Sequence, residues 1–336
     1  MNATSVTEQV TSVMNRTNLL MYYTADEPDG SQSPDWASAG AAALINSLDP
    51  FRPSSLCLNC QDYLFDHYAA GTPILMADVY PIGINPNYSV KYNTPCGPDQ
   101  GDCGCDNCAG DFEDIRDRMD DFRMRLEVLG WERMKSIMTI PQGFGSQEYV
   151  DHLYSFTASL FPVLPGQWVQ VTALLTIRGH RTLSLWSRTP TYAEFLVQII
   201  VAVNAGARGA ISWADPTTAG IKAAASQFAS ALPALTPFLL SSPLSSPPVQ
   251  RAHVITNGRL DFGLWVSSEG KAMILAANLN YFPAGITLGE VLSATEFQSL
   301  NLKNPRLVMD GGARIEGTQV TFSESVVSGA WVFDCQ

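Results

Sequence analysis

The stretch "LLMYYTADEPDG" (residues 19–30) sets the reading of the whole chain: an apolar run, Leu19 to Tyr23, empties within two residues into the adjacent carboxyls Asp26 and Glu27. An apolar run of this length bounded by Pro and Gly predicts a buried strand. The same pattern recurs downstream. "PSSLCLN" ends at Asn59, "TPILMADVYPIG" reaches Asp78 and Tyr80, "SIMTIPQGFG" reaches Gln142, and "RGAISWADP" reaches Trp213 and Asp215. Helical patterns lie between these runs: residues 4–17, 34–48, a short helix in "QDYLFDHYAAG", 111–130, and "TPTYAEFLVQIIVAVNAG", which opens with Thr191 and Glu194 at capping-box spacing. "AGIKAAASQFASAL" follows as a further helix. Apolar strands alternating with helices predict an α/β fold with a parallel sheet.

After Leu232 the texture changes. Residues 233–248 read as a Pro/Ser-rich connector, and 249–336 carry turn signals ("TNG", "SSEGK") between alternating apolar stretches, which predict a small antiparallel β domain. Residues 1–232 form the expected first domain. Within it, residues 150–185 contain only Asp151, Arg178 and Arg181 as charged residues and sit where a short loop belongs, so they read as an insertion or a retained intron, with an inserted lid as the alternative.

Composition excludes some functions. With 20 Lys plus Arg against 32 Asp plus Glu, a net charge of −12 argues against a surface that neutralises phosphates, so no nucleic-acid partner is expected. Nor is there a run of about 18 apolar residues, so no membrane span is expected. Of 7 Cys, Cys96, Cys103, Cys105 and Cys108 crowd one Gly/Pro/Asp-rich loop, and Cys57–Cys60 and Cys105–Cys108 have C-x-x-C spacing. Acceptor sequons at Asn2, Asn15 and Asn87 favour disulfides in an oxidising compartment over zinc. We therefore expect an extracellular glycoprotein, with Cys60 joined to the four loop cysteines in a disulfide cluster and no metal or other cofactor. The first residues lack the pattern of a signal peptide, which suggests a start downstream of the true one.

Loops at the carboxyl ends of parallel strands converge on one face. The residues there, Asp26, Glu27, Asn59, Asp78, Tyr80, Gln142 and Trp213, suit a sugar: aromatic faces stack on pyranose rings, amides and carboxylates bond hydroxyls, and paired carboxyls cleave the glycosidic bond. Each also has an ordinary role open to it. Asp26–Gly30 can be a turn, Asp78 a loop cap, Tyr80 and Trp213 core aromatics, Gln142 a backbone brace, Asn59 a strand-end turn residue, and Glu194 a helix cap.

The motifs "YYTADEPDG", "LNCQDY", "MADVYPIGIN", "CGCDNC", "PQGFG", "WSRTPT" and "GARGAISW" together resemble fungal secreted proteins of the glycoside hydrolase superfamily with a TIM-barrel core. The resemblance covers roughly residues 1–232 apart from 150–185. It implies a partial (β/α)8 barrel, strands four to eight, with Glu27 as general acid/base of a retaining hydrolase. Asp78 then stands as the first candidate nucleophile and Glu148 as the second, with Asn59, Tyr80, Gln142, Trp186 and Trp213 binding substrate. A monomer acting on a poly- or oligosaccharide is the expectation. Two alternatives remain: a substrate-assisted hexosaminidase that uses Asp26 and Glu27 together, and a non-catalytic carbohydrate-binding protein or inactive fragment.

Overall fold

The computed structural model describes residues 2–30, 33–89, 93–96, 108–145, 154–155, 158–159, 170–171, 174–175, 185–213, 218–240 and 249–335. The chain forms two compact units. The first comprises Met1–Leu160, Trp168–Pro190 and Gly209–Thr217, and the second Phe161–Gln167, Thr191–Arg208 and Thr218–Gln336.

In the first unit, helix α1 (Ala3–Val13) is capped by Asn2, whose side chain accepts from the Ser5 amide at 3.2 Å. There follow β1 (Tyr22–Ala25), α2 (Asp35–Leu48), β2 (Ser54–Leu58), α3 (Phe65–Ala69), β3 (Ile74–Ala77), the short strands β4 (Tyr88–Ser89) and β5 (Thr94–Pro95), α4 (Glu113–Val128) and β6 (Ser136–Thr139). The sheet order is β1-β2-β3-β6, and every pairing is parallel. Strand β2 is buried at all five positions. Burial on both faces is what makes these runs continuously apolar. The run expected as a strand around "RGAISWADP" contributes a single parallel bridge, Thr139 to Ala210, in which Thr139 N–H donates to Gly209 O and Ile211 N–H to Thr139 O, each at 3.0 Å. The chain order of the parallel segments thus matches their order across the sheet.

Four two-residue strands, β7 (Tyr154–Ser155), β8 (Ala158–Ser159), β9 (Gln170–Val171) and β10 (Leu174–Leu175), pair antiparallel as β7 with β10 and β8 with β9. They are the described part of the expected insertion. The remainder of that segment lies outside the described residues.

The second unit begins with α5 (Tyr192–Asn204), whose capping box is complete: Thr191 Oγ1 accepts from the Glu194 amide at 3.2 Å and Glu194 Oε2 from the Thr191 amide at 2.8 Å. Helix α6 (Ala219–Leu239) continues past the expected boundary at residue 232, so residues 233–239 of the expected connector are helical despite Pro233 and Pro237. A proline inside a helix forfeits a backbone bond. Here Leu232, Leu235, Phe238 and Leu239 are all buried, and that burial outweighs the loss. Strands β11 (Val249–Ile255), β12 (Leu260–Ser267), β13 (Lys271–Asn278), β18 (Ser328–Cys335) and β15 (Leu302–Gly311) form an antiparallel sheet in that order. β14 (Ala284–Thr287), α7 (Leu288–Ser293), β16 (Ala313–Glu316) and β17 (Gln319–Phe322) complete the unit, with the second sheet ordered β14-β17-β16. Phe262, Ile274, Phe322, Trp331 and Phe333 lie in its core.

Cys57, Cys60 and Cys335 are thiols, whereas Cys96 and Cys108 are disulfide-bonded. Cys60 therefore does not belong to the expected cluster: it follows the carboxyl end of β2, where the Asp29 carboxylate accepts its backbone amide at 2.8 Å. Cys103 and Cys105 lie outside the described residues. No helix among the described residues is long and apolar enough to cross a membrane.

Candidate active site at the carboxyl ends of the parallel strands

Three adjacent strand ends meet in one acidic cluster. Asp26 and Glu27 follow β1, Cys57 lies in β2 and Asp78 follows β3. A ligand atom from each of Asp26, Cys57 and Asp78 lies within 4.8 Å of the other two. The side chains from β1 and β3 therefore lean together over the middle strand. A thiol and two carboxyl oxygens at this spacing are also a donor set for a divalent cation.

The cluster is electrostatically crowded. Burial pushes the Asp26 carboxyl up to about 7, with the neighbouring charges of Glu27 and Asp29 adding to the rise and a 2.6 Å hydrogen bond from the Tyr23 hydroxyl opposing it. Burial likewise raises Asp78 to about 6, against the hydrogen bonds it shares with Glu27 and Cys57 and the more distant charge of Arg118. A hydrogen bond between the Glu27 and Asp78 carboxyls requires a proton on one of the two. Glu27 has φ +44°, in the left-handed region that costs a non-glycine residue about 1 kcal/mol or more. The backbone strain thus falls on a residue of the cluster.

Loop contacts fix this geometry. Buried Asp29 accepts the Asn59 amide at 3.1 Å and the Cys60 amide at 2.8 Å, and Arg118 of α4 donates to Asn59 O at 2.7 Å. Gly30 lies so close to Asn59 that a Cβ there would stand 2.5 Å from Asn59 Nδ2, so a larger residue would push the Asn59 amide aside. The Asn59 side chain is thereby packed against the turn that carries Glu27.

Around the acids stands an aromatic group. Tyr80, Phe144 and Trp186 meet edge to face, with ring centroids 4.8–5.6 Å apart, and Trp186 Nε1 donates to Tyr80 O at 2.9 Å. Trp186 is brought there by its bridge to Ile84, and Gly145 allows the approach: a Cβ would come 2.4 Å from the Thr189 amide. Tyr80 is buried, and its hydroxyl finds no hydrogen-bond partner. After burial, the groups that raise it are Asp78, Cys57, Asp26 and Glu27.

Two expected substrate-binding residues take other places. Gln142 is fully buried: its amide nitrogen donates to Ile82 O at 3.0 Å and Phe144 O at 3.2 Å, and its oxygen accepts the Ile82 amide at 3.0 Å. Both donor hydrogens are spent on backbone, so Gln142 braces the loop that carries Tyr80. Trp213 is a core aromatic at 4 % exposure, packed with Met21, Cys57, Met138 and Ile211. Glu194 caps α5, as its spacing allowed, and its Oε1 accepts from the Tyr281 hydroxyl at 2.7 Å. Glu148 and Asp215 lie outside the described residues. Asp29, Tyr23 and Arg118 were not singled out as site residues from the sequence, and Cys57 was read only by its spacing to Cys60, although the Asp-x-x-Asp spacing of 26 and 29 on a turn was a signal for Asp29.

No known family profile matches the sequence, and no curated protein matches it. Solved structures give distant likenesses. α-Galactosidase I from Mortierella vinacea shares 10 % identity over 93 % of this chain and 67 % of its own, with a TM-score of 0.46. A GH27 β-L-arabinopyranosidase from Geobacillus stearothermophilus shares 10 % over 88 % and 54 %, at 0.41. For a GH51 arabinofuranosidase from Xanthomonas axonopodis pv. citri the figures are 9 %, 94 %, 66 % and 0.41. The chain spans 50 % of a further match, from Bacteroides fragilis. At identities and TM-scores this low, none of them carries an activity over to this chain.

Proposed function

We propose that the protein is a retaining glycoside hydrolase acting on an oligo- or polysaccharide, with Glu27 as general acid/base and Asp78 as nucleophile. The observation that carries this reading is the hydrogen bond between the Glu27 and Asp78 carboxyls, the latter raised to about 6. With its proton on Glu27, Asp78 is an anion beside a protonated acid, which is the pairing the reaction needs. Substrate enters between the two carboxyls and parts them toward the separation of about 5 Å that retaining enzymes use. Glu27 protonates the departing glycosidic oxygen while Asp78 attacks the anomeric carbon. Glu27, now ionised, then takes a proton from water, which attacks the same carbon and releases Asp78. The exposed part of half-buried Trp186 offers an apolar contact to the sugar.

The parallel strands β1-β2-β3-β6 and the Ala210 bridge follow one another as consecutive strands of a (β/α)8 barrel do, and we place the site at the face where such barrels carry theirs. We further propose an extracellular, glycosylated, monomeric protein, on the strength of the sequons and the disulfide-bonded Cys96 and Cys108. A substrate-assisted mechanism needs Asp26 as an anion to hold an acetamido group, and a carboxyl raised to about 7 is ionised in only part of the molecules at neutral pH.

The test is Glu27→Gln. Turnover of a natural polysaccharide should fall by about 10² or more, with a much smaller fall on 4-nitrophenyl glycosides, whose leaving group needs little protonation. Wild-type turnover of both substrates by the variant removes Glu27 from the chemistry and leaves the acids as a turn.

A further inference from the structure

The exposed aromatic side chains of the first unit are unevenly spread. Among the described residues they are Trp36, Phe51, Tyr63 and Tyr88, and only Phe51 lies at the end where the strands begin. Trp36 is the second residue of α2, Tyr63 precedes α3 and Tyr88 follows β3, so these three stand on the loops that leave the carboxyl ends of β1, β2 and β3. Those are the ends that carry Asp26, Glu27 and Asp78. Trp36 is 62 % exposed, whereas every other described tryptophan is buried or half-buried. Large rings left in water beside a cluster of acids, with polar groups around them, are the surface a ligand covers.

The loops that carry Trp36 and Tyr63 are tied together at three points. Asp29, two residues after Glu27, holds the amides of Asn59 and Cys60. The Tyr68 hydroxyl donates to Ser33 O. Asp35 accepts the Trp36 amide through Oδ1 at 2.8 Å and meets His67 Nδ1 through Oδ2 at 2.5 Å, and the His67 amide donates in turn to Leu64 O at 3.0 Å. The backbone of Trp36 is thereby fixed to the turn that presents Tyr63 and Leu64. That turn is strained: Leu64 has φ +46°, yet its side chain is 41 % exposed, so packing is not what the strain secures. Asp62, Asp66 and His67 on the same turn are each more than half exposed. A flat ring rimmed by hydrogen-bonding groups suits a pyranose, whose C–H face lies on the ring while its hydroxyls bond the rim. Carboxylates in that rim repel a polyanion, so the sugar is uncharged. Resting on the glycosidase reading, we infer that Trp36 and Tyr63 form an outlying subsite for an uncharged glycan, whose chain runs from the acid cluster across the β1–α2 and β2–α3 loops.

Calorimetric titration of the full chain carrying Asp78→Asn, which holds a glycan without cleaving it, tests the subsite. The probes are cellohexaose, laminarihexaose, maltohexaose, xylohexaose and a galactomannan, with polygalacturonate as the acidic control. We expect a neutral member to bind, and added Trp36→Ala or Tyr63→Ala to weaken it by about tenfold, the size of one lost anchor ring. Trp36→Phe keeps a ring in place and should stay within about threefold of the parent. Phe51→Ala, which removes an exposed ring from the opposite end of the strands, should bind as the parent does. With Asp78 restored, the two alanine variants should lower kcat/KM on the bound glycan chiefly through KM. Undiminished binding in both alanine variants, an equal loss in Phe51→Ala, tighter binding of polygalacturonate than of any neutral probe, or no neutral probe bound at all overturns the inference. A wild-type protein that binds a neutral probe through Trp36 and hydrolyses none of them overturns the proposed function instead, and the subsite stands.

Discussion

Two aspartate sites, one in each unit, are treated in opposite ways. In the antiparallel unit Asp261 is wholly inaccessible, yet its oxygens are shared between Asn204 Nδ2 at 2.5 Å and His253 Nε2 at 2.9 Å. In the parallel unit half-buried Asp26 and buried Asp78 lie beside each other and beside Glu27, and both are raised toward neutrality. A buried carboxylate with dedicated donors serves the fold. Buried carboxyls set against one another cost stability, and such an arrangement marks the place where protons are handled. The strained backbone of Glu27 and the unpaired hydroxyl of Tyr80 fall in the same cluster, which strengthens the contrast.

The contrast can be broken by substitution. Asp78→Asn should abolish hydrolysis, by about 10³ or more in kcat, while leaving the fold intact, as checked by steady-state kinetics beside circular dichroism. Added azide should restore turnover of an activated glycoside, because a small anion can attack in place of the missing carboxylate. Asp261→Leu should act conversely. It leaves Asn204 and His253 without their acceptor and should cost about 3 kcal/mol of stability in urea unfolding, with no change in the chemistry of the other unit.

Asp26→Asn sharpens the comparison through pH. A carboxyl whose folded-state value is raised holds a proton in the folded protein that the unfolded chain has already released, so its penalty is absent below about pH 4, grows from there, and is complete above the folded value of about 7. The substitution should therefore stabilise the protein by roughly 2 kcal/mol at pH 8 and hardly at all at pH 4. Urea titrations at the two pH values check this. Smallest of all, Thr191→Ala removes the cap of α5 and should cost about 1 kcal/mol, without touching the acid cluster.

Much of this was legible in the sequence because parallel strands buried on both faces read as apolar runs, and Pro and Gly mark where they end. The convergence of Asp26, Glu27 and Asp78 follows from that pattern alone. The role of Gln142 does not, since an amide at a strand end serves a sugar or a backbone loop equally well, and only the partners at Ile82 and Phe144 decide between them. Cys57 was read by its spacing to Cys60, although the period of two along β2 sets its side chain among the acids instead. Prolines at 233 and 237 signalled a connector, and the burial of Leu235 and Phe238 overruled them.

The central claim, that the strand-end carboxyls are held protonated into the neutral range, is tested most directly by titrating aspartate and glutamate carboxyl carbons by 13C NMR in the folded protein. The account predicts two aspartates titrating near 6 and 7, each lost in one of the variants Asp78→Asn and Asp26→Asn. If all carboxyls of the wild-type protein titrate in the ordinary range near 4, the cluster holds no proton at neutral pH, and the acid–base reading of the site is contradicted.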